Sequence, residues 1–335
     1  MHVAQSDRHH CRICGNVEGN HAWDAREMMF GTREVFRYFQ CAKCRCLQIA
    51  EVPADPSRFY PPNYYSFHAD APASAAGRAR LVRERNRFAV LGRGLLGRLL
   101  YALRPQAKYR ELWRRTGVTE DSRLLDVGCG SGALLRWLAT LGFRNLLGVD
   151  PFIERELSHP DGVRVEKKTL AEVQGKFDLI MFNHSLEHAA DQAATLTQAA
   201  ERLAPGGTCL VRVPVVDSWA WEHYGVHWVQ LDAPRHFYLH SRESLSVLAR
   251  TCGLVVADVL CDSYELQFWG SEQYAKDIPF RSERSWSENR AQSIFSPDQI
   301  AEWRKRAEDL NRENRGDQAA FYLRRAPRGS NEEIP

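Results

Sequence analysis

Residues 124–132 read Leu-Leu-Asp-Val-Gly-Cys-Gly-Ser-Gly, a short apolar run that passes directly into a glycine-rich turn. Ala133, Leu134, Leu135, Leu138 and Leu141 follow at helical spacing. Glycine has no Cβ, so in such a strand–loop–helix unit the backbone N–H groups and the helix N-terminus can close on a ligand. A second apolar run, Leu146-Leu147-Gly148-Val149, ends in Asp150. An acid at the tip of the second strand is placed to accept hydrogen bonds from ribose hydroxyls. Together the two segments predict an α/β fold that takes an adenosine-type cofactor.

Spacing narrows the cofactor. Dinucleotide loops read G-x-G-x-x-G, whereas Gly128, Gly130 and Gly132 are spaced G-x-G-x-G with Asp126 just before them. An acid at the mouth of the loop repels a pyrophosphate and suits a cation or an α-amino group. S-adenosylmethionine carries a sulfonium and an amino group. The Asp126–Gly132 segment with Gly148-Val149-Asp150-Pro151 downstream resembles the first two motifs of the class I S-adenosylmethionine-dependent methyltransferases. The resemblance implies that Asp126, Gly128, Gly130, Gly132 and Asp150 hold the cofactor. A plain βα turn and a nicotinamide site are the alternatives.

The rest of the sheet is read from shorter runs. Val163-Arg164-Val165 is the third strand, and the turn after it places Thr169 near an adenine. Residues 177–183 form a strong fourth strand, followed by a helix over 192–203 that Ala204-Pro205-Gly206-Gly207 stops, and a fifth strand over 208–214. Ligands of open α/β sheets sit at the carboxyl ends of strands, so Asn183, also read as cofactor-binding, and the residues after it face the site. The runs 177–191 and 203–214 resemble later motifs of the same superfamily. A helix follows from an N-cap at Ser241, then a strand from Leu254. Residues 263–316 read as an insertion with a helix near 297–312, and residues 316–325 as the last strand. In the class I family that strand is antiparallel and slots between its neighbours. The fold class expected is α/β: a seven-stranded Rossmann-like methyltransferase sheet with a small N-terminal zinc ribbon.

Methyl transfer to a hydroxyl needs a base. The candidates are His184, Glu187 and His188 after the fourth strand, and His236 after the fifth. Histidine suits the task because its ordinary pKa lies near neutrality. The string His184-x-x-Glu187-His188 has three readings. One is a histidine base oriented by Glu187. The second is a divalent-cation site: it resembles the Glu-x-x-Glu-His of quinone-pathway O-methyltransferases, with His184 in place of the first Glu, which disfavours magnesium. The third is a helix-capping histidine with no chemistry. The string also matches an inverted zinc-protease motif, but here it follows a strand. Arg235, beyond strand five, is read as a clamp for a phosphate or carboxylate on the acceptor side. Arg212 is read as a sheet-edge or surface residue.

Cys11-x-x-Cys14 and Cys41-x-x-Cys44 are separated by 26 residues. Two such knuckles can surround one zinc with four thiolates, a closed and therefore structural site. Cys46, His9, His10 and His21 are possible substitutes. Glu34–Gln40 reads as a strand between the knuckles. A ribbon followed by the Pro/Tyr-rich residues 53–65 resembles the front of a methyltransferase subfamily linked to polysaccharide and sugar-nucleotide modification, although Arg45-Cys46-Leu47 stands where that pattern has Gly-Leu. The tyrosines are read equally as acceptor contacts or as packing.

The domain reading is a zinc-ribbon module over 1–70, a basic helical linker over 71–115, a methyltransferase domain over 116–326 and a disordered tail over 327–335. Arg78 to Arg115 holds 12 Lys/Arg against Glu84 and Glu111. Leu91, Leu95, Leu96, Leu99, Leu100 and Leu103 give it an apolar face, expected to pack on the catalytic domain with the arginines solvated. The other readings are an anionic acceptor or an anionic membrane surface. Residues 71–77 read as a flexible boundary.

A net charge of +3 is too small to argue from, no run of 18 apolar residues predicts a membrane span, and the first residues lack an apolar signal region. A cytoplasmic enzyme is expected, and the nine cysteines read as metal ligands rather than a disulfide framework. The acceptor implied by the resemblance is a sugar hydroxyl or carbon on a nucleotide- or lipid-linked glycan precursor. The rivals are an RNA methyltransferase that grips the backbone through ribbon and linker, disfavoured because strand four lacks an Asn-Pro-Pro-Tyr-type site, and a protein-docking ribbon on an inactive cofactor fold. A homodimer is possible.

Overall fold

A computed structural model describes residues 9–60 and 76–327. The tyrosines at 61–65, most of the expected boundary at 71–77 and the tail from 328 lie outside the described residues. The N-terminal part is an antiparallel meander of β1 (His21–Arg26), β2 (Val35–Gln40) and β3 (Leu47–Ile49). Three helices follow: α1 (Ala76–Leu91), α2 (Leu95–Leu103) and α3 (Ala107–Arg114). Gly92 (φ 70°) and Gly94 (φ 99°) make the sharp turn between the first two.

The central sheet is then laid down. Its elements are β4 (Arg123–Val127), α4 (Ala133–Thr140), β5 (Asn145–Val149), β6 (Leu157–Ser158), β7 (Arg164–Glu166), β8 (Phe177–Asn183), α5 (Gln192–Arg202) and β9 (Leu203–Pro214). After them come α6 (Trp219–Tyr224), β10 (Tyr238–Leu239), α7 (Arg242–Thr251), β11 (Leu254–Cys261), α8 (Leu266–Ala275), α9 (Pro297–Arg312) and β12 (Gln318–Arg325). The strand order is β11-β12-β9-β8-β4-β5-β7-β6. Strands β7, β5, β4, β8 and β9 are parallel, and β12 runs antiparallel between β9 and β11. This is the mixed α/β Rossmann-like sheet expected, with the last strand slotted inward.

The departures have local causes. Among the described residues the sheet has eight strands rather than seven, because the two-residue β6 pairs back on β7 and covers the edge. The third strand starts one residue later than read. Helix α5 ends at Arg202, where Leu203 turns extended and pairs with Phe177, so β9 begins before the glycines. Helix α9 has the expected bounds, with Ser296 as its N-cap and Pro297 in its first turn.

One core covers one side of the sheet, from Leu125, Ile180 and Val211 to Leu245 and Phe321. A second joins Leu124, Leu138 and Tyr322 to Val90 of α1 and Trp113 of α3. A third belongs to the ribbon and the catalytic region jointly: Tyr38, Leu47 and Ile49 pack with Trp228, Leu231 and Phe237. Strand β10 also pairs with β3, so residues 238–239 complete the ribbon sheet. The basic helices follow expectation in part: Leu91 of α1 packs against the core of the catalytic domain. Leu95, Leu96, Leu99 and Leu103 are exposed and do not, because α2 leans on α1 through Gly97 instead.

Candidate active site

The glycine loop is built for close approach. Gly128, Gly130 and Gly132 have φ of 74°, 53° and 77°, the left-handed region. A Cβ at Gly128 would stand 2.5 Å from Ser185 Cβ, and one at Gly132 2.7 Å from Val165 Cγ2. The loop is thus pressed against the chain that leaves β8. Gly130 N–H donates to Asp150 Oδ2 at 2.9 Å, and Phe152 N–H donates to Asp150 Oδ1 at 2.9 Å. Asp150 is pinned at the tip of β5 with lone pairs to spare.

Asp126 and Asp150 are both buried. Burial pushes the Asp126 carboxyl up to about 7, and the charge of Asp150 adds to that. Burial raises Asp150 as well, against the pull of the Phe152 and Gly130 amides. Two acids crowded under a bare loop are a site short of a positive charge, which a sulfonium or an ammonium supplies. The donor set therefore fits S-adenosylmethionine and opposes a pyrophosphate. Thr169 lies exposed at the turn after β7, and its hydroxyl bonds Glu172 Oε2 at 2.8 Å. Asn183 ends β8 half-buried and accepts from Arg212 Nη1 at 3.0 Å.

The four candidate catalytic residues come together. His184 sits in a left-handed conformation (φ 55°) that turns the chain out of β8. Ser185 then bonds the Val127 carbonyl and packs on Gly128, which seats the following turn against the cofactor loop. Glu187 is fully buried, and among the described residues neither carboxylate oxygen has a hydrogen-bond partner. His184 Nδ1 lies 3.4 Å and His236 Nε2 3.9 Å from Glu187 Oε1. Burial would raise the Glu187 carboxyl, but the three surrounding imidazoles prevail and hold it at about 2.

The tautomers of the two histidines follow from their carbonyl partners. His188 Nδ1 lies 2.8 Å from the Arg235 carbonyl, and His236 Nδ1 2.7 Å from that of Gln230. A carbonyl only accepts, so both Nδ1 atoms carry the proton and both Nε2 atoms keep a lone pair. Burial, with His236 adding to it, lowers His188 to about 4, so its ring is neutral at pH 7. His236 Nε2 also faces Asp232 Oδ2 at 3.8 Å. Atoms of Glu187, His188 and His236 lie within 4.8 Å of one another, so the group can serve either as a base with its orienting acid or as three ligands for a cation.

At the ribbon, the sulfurs of Cys11, Cys14, Cys41 and Cys44 all lie within 4.8 Å of one another. Cys11 and Cys44 are 3.6 Å apart, and Cys14 and Cys41 3.5 Å. Four sulfurs arranged tetrahedrally around zinc sit about 3.8 Å apart, so the group fits that ion. Gln48 Nε2 donates to Cys11 Sγ at 3.0 Å, as an orienting group should. Cys46 and the histidines are not part of this group among the described residues. Cys46 Sγ lies instead 4.0 Å from His240 Nδ1.

Three residues stand elsewhere than the sequence placed them, or were not singled out. Arg235 is buried and engaged by two acids: it donates to Asp232 Oδ2 at 2.9 Å, Asp232 Oδ1 at 2.6 Å and Glu27 Oε1 at 3.1 Å. Arg212 lies inside the sheet, since β12 covers the edge it would otherwise face; its Nε donates to Asp262 Oδ2 at 2.6 Å. Tyr60 touches both halves of the site. Its hydroxyl is 2.9 Å from His188 Nδ1, and its ring stacks on Phe152 at 6.3 Å, two residues past Asp150. The Pro/Tyr-rich stretch was the only sign of it in the sequence.

The sequence model of a methyltransferase-domain family matches residues 86–259. A ubiquinone biosynthesis O-methyltransferase of Azorhizobium caulinodans is 35% identical over 125 residues, covering 34% of this chain and 49% of that protein. One of Cereibacter sphaeroides is 29% identical over 177 residues, covering 48% and 70%. The chain spans between 40% and 70% of the length of these curated relatives. Among solved structures, a 1,6-didemethyltoxoflavin-N1-methyltransferase of Burkholderia thailandensis overlays with a TM-score of 0.38 at 16% identity, covering 77% of this chain and 94% of that one. From the strand order, the glycine loop and the match over 86–259, the chain belongs to the methyltransferase-domain family, and its central α/β unit is an S-adenosylmethionine-dependent methyltransferase domain.

Proposed function

We propose that this chain methylates a hydroxyl oxygen of a small acceptor, with His188 as the base that takes the hydroxyl proton. The fixed tautomer of His188 carries the reading. Its Nδ1 proton is held by the Arg235 carbonyl at 2.8 Å, and its Nε2 is an unprotonated base at neutral pH. When bound, S-adenosylmethionine supplies a methyl carbon made electrophilic by its sulfonium. Asp126 and Asp150 draw that positive charge into the crevice, and the glycine loop lets the backbone close on it. Orienting the partners contributes roughly 7–11 kcal/mol to such a displacement. As His188 takes the proton, the neighbouring Glu187 carboxylate stabilises the imidazolium, and Tyr60 holds the ring in place.

The relatives' names support oxygen as the receiving atom. For the acceptor itself, the ribbon and Pro/Tyr-rich front favour a sugar hydroxyl of a nucleotide- or lipid-linked glycan precursor, while the relatives' names favour an acceptor from ubiquinone biosynthesis. The test is mass spectrometry after the chain is incubated with methyl-deuterated cofactor and a panel of each class. We expect a product labelled on oxygen from one panel. His188→Ala should form it about 10²–10⁴-fold more slowly. A product labelled on nitrogen or carbon, or full turnover by the variant, contradicts the reading.

A further inference from the structure

We infer that α2 is a docking face for an anionic lipid bilayer. Its leucines recur at one face of the helix, at positions 95, 99 and 103, and they point into solvent. Leu95 is 86%, Leu99 61% and Leu103 73% exposed. The opposite side is the packed one: a Cβ at Gly97 would run into the Glu84 carbonyl and stand 2.8 Å from Phe88 Cβ. The helix is therefore amphipathic with its apolar side outward, the reverse of a helix that serves a protein core.

Charge selects the occupant. Arg93, Arg98 and Arg104 are exposed beside the leucines, and α2 contains no acid. The surrounding stretch from Arg78 to Arg115 carries 12 basic residues against two acids. A second copy of the chain on this face would set arginines against arginines, whereas anionic headgroups match them. Aliphatic side chains flanked by arginines are the pattern of a helix lying in a headgroup layer, with arginine stems spanning the boundary. No helix among the described residues is long and apolar enough to cross a membrane, so the contact is with the surface.

The test is flotation of the full chain with two vesicle preparations, phosphatidylcholine alone and an equal mixture with phosphatidylglycerol. The chain should float with the mixture only and be released by salt. Removing one of Arg93, Arg98 or Arg104 should weaken partitioning roughly fivefold. The triple variant Leu95→Ser, Leu99→Ser, Leu103→Ser should stay in solution while keeping its circular dichroism and cofactor affinity. The inference is overturned if the chain ignores the mixed vesicles or if the triple variant floats like the parent. It is equally overturned if the parent is a dimer that the triple variant converts to monomer.

Discussion

At the scale of single residues, the site rests on groups whose charge their surroundings have changed. Asp126 is protonated over part of the physiological range because burial and Asp150 hold its carboxyl at about 7. A positively charged cofactor favours the ionised form, so binding must expel that proton. Affinity should therefore rise with pH, by up to about tenfold per unit, and level off above about 7. Calorimetry across pH measures this, and Asp126→Asn should flatten the profile. The sequence named Asp126, Asp150, His184, Glu187, His188 and His236 because each follows a strand or marks a motif. It did not show that His236, 48 residues beyond His188, meets Glu187, since only the path of the intervening chain brings them together. Arg235 was misread for the same reason. Its partner Glu27 lies 208 residues away, and without that partner an arginine after a strand looks like a ligand clamp.

At the scale of elements, strands with clean apolar runs were legible, and the order of the sheet came with the motifs. Helix α9 was legible at its observed bounds. Helix α8 was not, because it is buried nearly all round: Gln267, Phe268, Trp269, Ser271, Gln273 and Tyr274 are all inside, and no polar face marks a period. Strand β10 has two residues and exists only by pairing with β3. That pairing gives the ribbon a task. Ile49 N–H bonds the Phe237 carbonyl at 3.0 Å, Tyr38 bonds the His236 carbonyl at 2.9 Å, and Ser241 bonds the Cys44 carbonyl at 2.7 Å. The four-cysteine knuckle thus buttresses the segment that carries His236. Structural zinc supplies roughly 10–16 kcal/mol to a small module of this kind. Stripping the metal with a chelator should loosen the two knuckles and the His236 segment they hold, and abolish turnover, while cofactor binding largely survives. Elemental analysis alongside a cofactor titration checks both halves of that outcome.

At the scale of the whole molecule, ribbon and catalytic unit share one core and one buried ion network. Glu27, after β1, accepts from Arg235, from the Phe30 amide and from Thr32. Arg235 and Asp232 belong to the loop before His236. Removing the arginine leaves the buried carboxylates of Glu27 and Asp232 without the cation they share. Arg235→Met should cost about 3–5 kcal/mol, read as a lower urea midpoint in a single transition that melts ribbon and sheet together. All of this chemistry depends on the crevice between β4 and β5 holding a positively charged adenosine cofactor on two acids. Calorimetric titration of S-adenosylmethionine into the parent chain and into Asp150→Ala tests it most directly. The parent should bind one equivalent, and the variant should lose binding with its fold intact. No binding by the parent, or the same affinity in both, would contradict the account.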